Sequence, residues 1–218
     1  MVKKSLLLFG AILLFTVTGC QVNLVSVDKM PWQKEGQVLF QDDFKDDSSG
    51  WEITRSPYEL KGYSDSGYLI SVNTVDSRSW SRLKLKFTDV QVEVATQKII
   101  GPDDTDFGLI CRYQDKDNFY AFLISSDGYY AIMMVQDGIE TLLGSETFEY
   151  SEVIYQSDGT NKVQATCLDD KLTLSANGSE LLSVKDLTFQ AGDVGIILET
   201  RTGGAATVIY NDFLVTKK

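Results

Sequence analysis

From residue 38 onward, apolar and polar side chains alternate in short runs: Leu83-Lys84-Leu85-Lys86-Phe87, Val90-Gln91-Val92-Glu93-Val94, Val163-Gln164-Ala165-Thr166-Cys167 and Leu172-Thr173-Leu174-Ser175. A period of two buries one face of a strand and leaves the other facing elsewhere. Asp127-Gly128, Asp137-Gly138 and Asn177-Gly178 punctuate the runs, and these dipeptides accept the positive φ values of tight hairpins. Past the first twenty residues no long 3.6-residue period with caps occurs. Many short strands with closely spaced turns predict an all-β domain, a two-sheet antiparallel sandwich.

The centre of the chain can be read further. Tight turns at Lys116-Asp117 and Asp127-Gly128 place strands at 107–115, 118–126 and 129–136. One face then collects Leu109, Cys111, Tyr113, Tyr120, Phe122, Ile124 and Met133, and this face is expected to be the core. The other collects Ile110, Arg112, Phe119, Leu123, Tyr130, Ile132 and Met134. An apolar face that also carries Arg112 and Tyr130 suits a concave sheet covered by loops or by ligand. A register slip of one residue would exchange the two faces.

The first twenty residues have a different pattern. Met1-Val2-Lys3-Lys4 is positive, residues 5–17 are largely apolar, and Val17-Thr18-Gly19-Cys20 ends the run. This is the layout of an export signal, and the apolar run falls short of the roughly 20 residues that span a bilayer. The ending resembles the lipobox of bacterial lipoproteins, which implies diacylglyceryl transfer to the Cys20 thiol and cleavage just before it. The expected organisation is a signal peptide at 1–19, a lipidated N-terminus and tether at 20–36, and one β-sandwich domain at 37–218. The expected location is the cell envelope, with the domain held on the outer face of a membrane by its lipid. Gln21 is not the aspartate that commonly retains such proteins at an inner membrane.

Charge narrows the partners. Two of the 20 basic residues, Lys3 and Lys4, precede Cys20, so 18 remain against 31 acidic residues, a net charge of −13. A nucleic-acid groove is not expected at this balance, and the lipid rather than overall charge is expected to hold the membrane. Histidine is absent, which removes Ser-His-Asp and Cys-His catalysis and the commonest zinc ligand. Cys111 and Cys167 remain after Cys20 and form a candidate disulfide in an exported domain.

A set of short motifs runs through the mature chain: Phe40-Gln41-Asp42-Asp43-Phe44 with Ser49-Gly50-Trp51, Gly67-Tyr68-Leu69-Ile70, Asp106-Phe107-Gly108-Leu109-Ile110-Cys111-Arg112-Tyr113, Asn118-Phe119-Tyr120-Ala121-Phe122, Gly192-Asp193-Val194-Gly195 and Tyr210-Asn211-Asp212-Phe213-Leu214-Val215. In order and spacing they resemble concanavalin A-like lectin/glucanase domains, more narrowly laminin G-like and 3-keto-disaccharide hydrolase-like ones. The resemblance implies a jelly roll whose first and last strands lie side by side. Its members bind glycans, cleave them, or serve as appended modules. It also implies a calcium site where the chain ends meet, with Asp43 and Asp212 as candidate ligands. Two such carboxylates repel unless a cation, a lysine or water separates them. The loop Asp103-Asp104-Thr105-Asp106 is a second acidic candidate.

Glycosidases place two carboxylates about 5 to 9 Å apart. The Glu-x-Asp-x-x-Glu strand of related glucanases has no counterpart here; Glu93 stands alone in its run. A non-catalytic binding role is therefore expected, with carbohydrate as the first ligand class. A pyranose packs its CH face on an aromatic ring and needs fixed polar partners for its hydroxyls. Trp80, between Ser79 and Ser81, is the candidate ring, with Arg112, Tyr130 and Glu93 as polar partners. The competing assignments pack Trp80 at the rim and pair Arg112 with a carboxylate. Trp51 is assigned to the core. A hydrolase assembled from separate loops and an envelope scaffold that binds another protein are the alternative functions.

Overall fold

The computed structural model describes residues 26–30, 33–201 and 203–218. The signal and Cys20 lie outside the described residues. The strands follow in order: β1 (Val38–Asp42), β2 (Thr54–Arg55), β3 (Glu59–Ser64), β4 (Gly67–Val72), β5 (Ser77–Arg82), β6 (Val90–Ile100), β7 (Asp106–Asp115) and β8 (Asn118–Ser125). Then come β9 (Tyr129–Gln136), β10 (Ile139–Leu143), β11 (Glu149–Tyr150), β12 (Asn161–Leu168), β13 (Lys171–Ala176), β14 (Ser179–Lys185), β15 (Asp193–Thr200) and β16 (Ala206–Lys217). One sheet runs β14-β13-β12-β6-β16-β4-β3-β2, with β1 also on β16. The other runs β10-β9-β8-β7-β15-β5, with β11 on β9. Every pairing is antiparallel. The domain is a two-sheet jelly-roll sandwich, and its first and last strands are neighbours, Asp42 opposite Phe213.

Alternation produces the core where a strand has a pairing partner on each side. In β6 buried and half-buried residues alternate without a break from Val90 to Lys98, and Val90, Val92 and Val94 face Leu109, Phe122 and Ile196 of the other sheet within one cluster. The run Leu83-Lys84-Leu85-Lys86-Phe87 alternates equally well but is not a strand. Asp193 intercepts it: its carboxylate accepts the N–H groups of Lys84 (2.8 Å) and Leu85 (3.2 Å), the donors a ladder would have used.

The central hairpins lie where the turn residues place them, with one shift. Asp115 pairs with Asn118 and Gln136 with Ile139, both across two-residue turns. The turn before β9 holds three residues, Ser126 to Gly128, with Gly128 at φ +95° donating to Ser125 O. Ile124 therefore faces Tyr130, and Phe122 faces Ile132. This one-residue slip puts Tyr130 and Ile132 in the core and Met133 on the outer face, reversing the expected faces of β9. Tyr113 moves outward too, because β7 changes register between Cys111 and Asp115.

The register change is centred on Arg112, at φ +53°. Its side chain is 1% exposed and turns into one end of the sandwich. Nη1 donates to Asp169 O (2.9 Å) and Phe189 O (3.0 Å), and Nε and Nη2 reach Thr88 O. Asp89 stands 3.7 Å away. A Cβ on Gly192 would lie 2.4 Å from the Arg112 carbonyl carbon, so the bulge and that glycine fit only together. The N-terminal 3-10 turn Val27–Lys29 docks at this end. Asp28 is fully buried and accepts the N–H groups of Thr88 (2.7 Å) and Asp89 (2.9 Å), and Lys29 pairs with Asp89. Ser26–Met30, within the stretch read as a tether, is thus bound to the domain.

Cys111 of β7 and Cys167 of β12 are joined as a disulfide across the core, Cα atoms 6.9 Å apart. The bond closes a loop of sequence separation 56, and closing a loop of that length restricts the unfolded chain. Reducing it is expected to lower unfolding free energy by about 2–4 kcal/mol, measured by urea denaturation with and without reductant. Two freely titratable thiols in the denatured, unreduced protein would contradict the pairing.

Candidate functional site

The outer face of the seven-stranded sheet is apolar along its middle. Ile110, Phe119, Ala121, Leu123 and Ile197 are fully buried there, with Tyr113, Met133 and Val135 nearly so. Trp80 lies half-buried against Tyr113 and Phe119, ring centroids 6.0 and 5.8 Å apart. Arg82 covers the Tyr113 ring at 4.0 Å and holds Asp193 at 2.7 Å. Aromatic faces at this centre are spent on one another and on a guanidinium.

Toward the end opposite Arg112 the same face becomes charged and opens. Arg201 pairs with Asp106 and lies 4.5 Å over the Phe148 ring. Arg78 bridges Glu140 and Glu199, its Nε 3.3 Å from Glu199 Oε1. That oxygen is buried and accepts no hydrogen bond. Asp106 and Glu199 face each other across β7 and β15. Around Arg201 lie three adjoining depressions of about 240, 260 and 410 Å³. Tyr129 edges one of them, 41% exposed, and its ring meets that of the 51% exposed Tyr150 at 5.6 Å.

The expected site residues are dispersed by this architecture. Trp80 is on the outer face. Arg112 is sealed among backbone carbonyls, and Tyr130 turns inward, donating to Glu149 Oε2 at 2.9 Å. Neither is presented to a ligand, and the three-residue turn and the bulge are the reasons. Glu93 is on the other sheet, paired with Lys162 at 2.5 Å and Gln164 at 3.1 Å. Sequence reasoning passed over Tyr129, Tyr150 and Arg201, since a Tyr after a Gly and an Arg in a Gly-rich turn look like ordinary loop residues. Asp106 was singled out only as a loop acid. Trp51 is in the core, packed among Phe44, Tyr68 and Phe213, with Nε1 donating to Asp42 at 2.8 Å.

Glu93 instead shares a cleft of about 520 Å³ with Asp43, Asp46 and Asp212 where the chain ends meet. Asp43 is held by Lys45, Nζ to Oδ2 2.7 Å, which lowers the carboxyl pKa. A lysine thus supplies the positive charge that two such acids require. Among the described residues no three acidic, His or Cys side chains gather as a metal site. Calcium titration of chelator-treated protein tests the junction: a melting temperature that rises by several degrees in millimolar calcium would show a bound, stabilising ion, and one that stays put would show that Lys45 alone balances the acids.

No protein-family profile matches the chain, and no curated protein matches it in sequence. Solved structures place the fold among concanavalin A-like sandwiches. A carbohydrate-binding module, CBM66 from Bacillus subtilis, aligns with TM-score 0.62 at 13% identity, over 77% of this chain and 96% of that one. A Bacillus licheniformis beta-glucanase aligns with TM-score 0.60 at 10% identity, over 82% and 98%. A protein of unknown function with a galectin-like fold from Bacillus subtilis aligns with TM-score 0.59 at 14% identity, over 84% and 97%. At these identities the likeness is one of fold.

Burial pushes the Asp106 carboxyl up to about 7; Arg201 opposes the shift and Glu199 adds to it. Glu199 is raised as well, chiefly by burial, against Arg78. A folded-state pKa above the unfolded value means that the native protein keeps a proton that the unfolded chain releases. The linkage therefore costs stability as pH rises from about 4 to 7. Asp106→Asn is expected to flatten that decline in a pH series of urea melts. An unchanged slope would show that Asp106 titrates normally.

Proposed function

We propose that this protein is a lipid-anchored, extracytoplasmic glycan-binding module, and that its site is the Tyr129–Arg201 end of the seven-stranded sheet. The observation that carries this reading is the pairing of two exposed rings, Tyr129 and Tyr150, with a rail of fixed charged groups beside them. A sugar ring offers an apolar CH face to tyrosine and hydroxyls to the rail. Glu140, half exposed at this end, can accept a sugar hydroxyl; Arg78 and Arg201 can donate to ring or hydroxyl oxygens. Trp80 joins as the floor of the face rather than as an open platform. The sandwich fold is one that also serves as a carbohydrate-binding module and as a glucanase, which agrees with this ligand class. The signal ending at Cys20 supports attachment to a membrane through lipid.

Glu140 and Glu199 line one depression, which favours a hydrolase as the second reading. Burial raises the Glu199 carboxyl pKa, as suits a proton donor, but Arg78 engages both carboxylates, and a hydrolase would need one of them released.

A glycan array probed with the protein should yield a ligand, and Tyr129→Ala or Tyr150→Ala should each weaken it about tenfold, in line with the ~1–1.5 kcal/mol of an aromatic contact, while leaving the melting temperature near that of the parent. Unchanged affinity in both variants would remove the site from this face. Appearance of shortened glycan on prolonged incubation would favour the hydrolase.

A further inference from the structure

The fold sorts charge along its length. The Arg112 end comprises the N-terminal turn, the link 83–89, the hairpin turns 115–118, 136–139 and 168–171, the loop 186–192 and the C-terminus. These segments are tied together. Val27 N donates to Lys86 O, Gly138 N to Asp117 O, Asp186 N to Asp170 O, and Lys218 N to Asp89 O. With Arg112 and Lys185 counted in, nine of the 18 basic residues after Cys20 lie at this end, against eight of the 31 acidic ones. The end is therefore close to neutral, and the other 23 acidic residues, with essentially all of the net negative charge, lie along the flanks and at the Tyr129 end.

Exposed at the Arg112 end are Lys84, Lys86, Lys116, Lys171 and Lys185. Lys116 pairs with Asp117 and Lys185 with Asp170; Lys84, Lys86 and Lys171 make no ion pair among the described residues. The exposed apolar side chains Leu85 and Leu187, 38% and 59% exposed, stand in the same segments. Asp28 and Lys29 fix the N-terminal segment here, and only five residues separate Cys20 from Ser26. At about 3.3–3.6 Å per residue the chain from Cys20 to Ser26 spans at most roughly 20 Å.

We infer that the Arg112 end is a docking surface for an anionic bilayer, with the unpaired lysines meeting lipid headgroups; this rests on lipidation of Cys20. The short connection keeps these lysines near the headgroups, where a surface potential acts over about one Debye length, ~8 Å. The acidic remainder is repelled by the same surface, so the two effects share one orientation: Arg112 end down, Tyr129 end outward. Net charge alone argues against membrane contact; at this end the negative excess is absent and three exposed lysines stand without an ion pair among the described residues.

The test uses the full chain purified from membranes and reconstituted into vesicles, either phosphatidylcholine alone or phosphatidylcholine with phosphatidylglycerol. Lysines are labelled with a water-soluble acylating reagent and read by peptide mass spectrometry. Lys45 and Lys162, away from the Arg112 end, serve as internal references. In the anionic vesicles Lys84, Lys86 and Lys171 should label at least threefold more slowly relative to those references than in phosphatidylcholine. Equal relative labelling in both vesicles would overturn headgroup contact. Protection of Lys45 or Lys162 in place of the three would overturn the orientation. An N-terminal peptide lacking acyl mass on Cys20, with protein that does not remain with vesicles, would instead overturn the lipid anchor itself.

Discussion

The Arg112 guanidinium is the interaction on which the organisation of one end of the molecule depends. It is a charge removed from water, and such a group is tolerated only when its donors are met. Here they are met by carbonyls from three separate segments, at Thr88, Asp169 and Phe189, with Asp89 as the nearby counter-charge. Asp89 in turn accepts the N–H of Asp169 at 3.0 Å and pairs with Lys29. Removing one partner of a buried pair typically costs ~3–5 kcal/mol because the other is left uncompensated. Phe87 and Phe189 pack two of these loops into the core, and the guanidinium fixes the backbone beside them.

Much of the architecture was legible in the sequence. Period-two runs and Asp-Gly or Asn-Gly turns are local signals, and the strands at β6, β7, β8, β12 and β13 fall where those signals place them. What was not legible depended on single hydrogen bonds, some within one turn and some made at long range. Whether the turn before β9 holds two residues or three is decided by Ser125 and Gly128, and that choice reverses the faces of Tyr130 and Met133. Whether Lys84 begins a strand is decided by Asp193, more than a hundred residues away. Arg112 reads as a surface group because nothing in Ile110-Cys111-Arg112 announces a bulge.

The candidate site followed the same division. Trp80 stands out in the sequence for its polar neighbours, and the structure puts it within β5 with its ring occupied by Tyr113 and Phe119. Tyr129 and Tyr150 come together because β11 pairs with β9, Tyr150 opposite Tyr129. A two-residue strand pairing across an irregular loop leaves little trace in a sequence. Arg201, in a turn after β15, becomes significant only once Asp106 and Phe148 are seen on either side of it.

The docking of the N-terminal turn also determines how the domain bears mechanical load. A pull on the N-terminal side reaches the sandwich at Val27–Lys29, where Asp28 holds two backbone N–H groups. If that latch yields, tension passes to β1, which starts at the Arg112 end and runs away from it beside β16. Force then acts along the strand axis, in shear. The ladder bonds between Val38–Asp42 and its partner resist together instead of parting one by one, and the aromatic contacts of Phe40 with Trp51 and Phe213 lie beneath them. A domain loaded in this way resists being unzipped from its N-terminus.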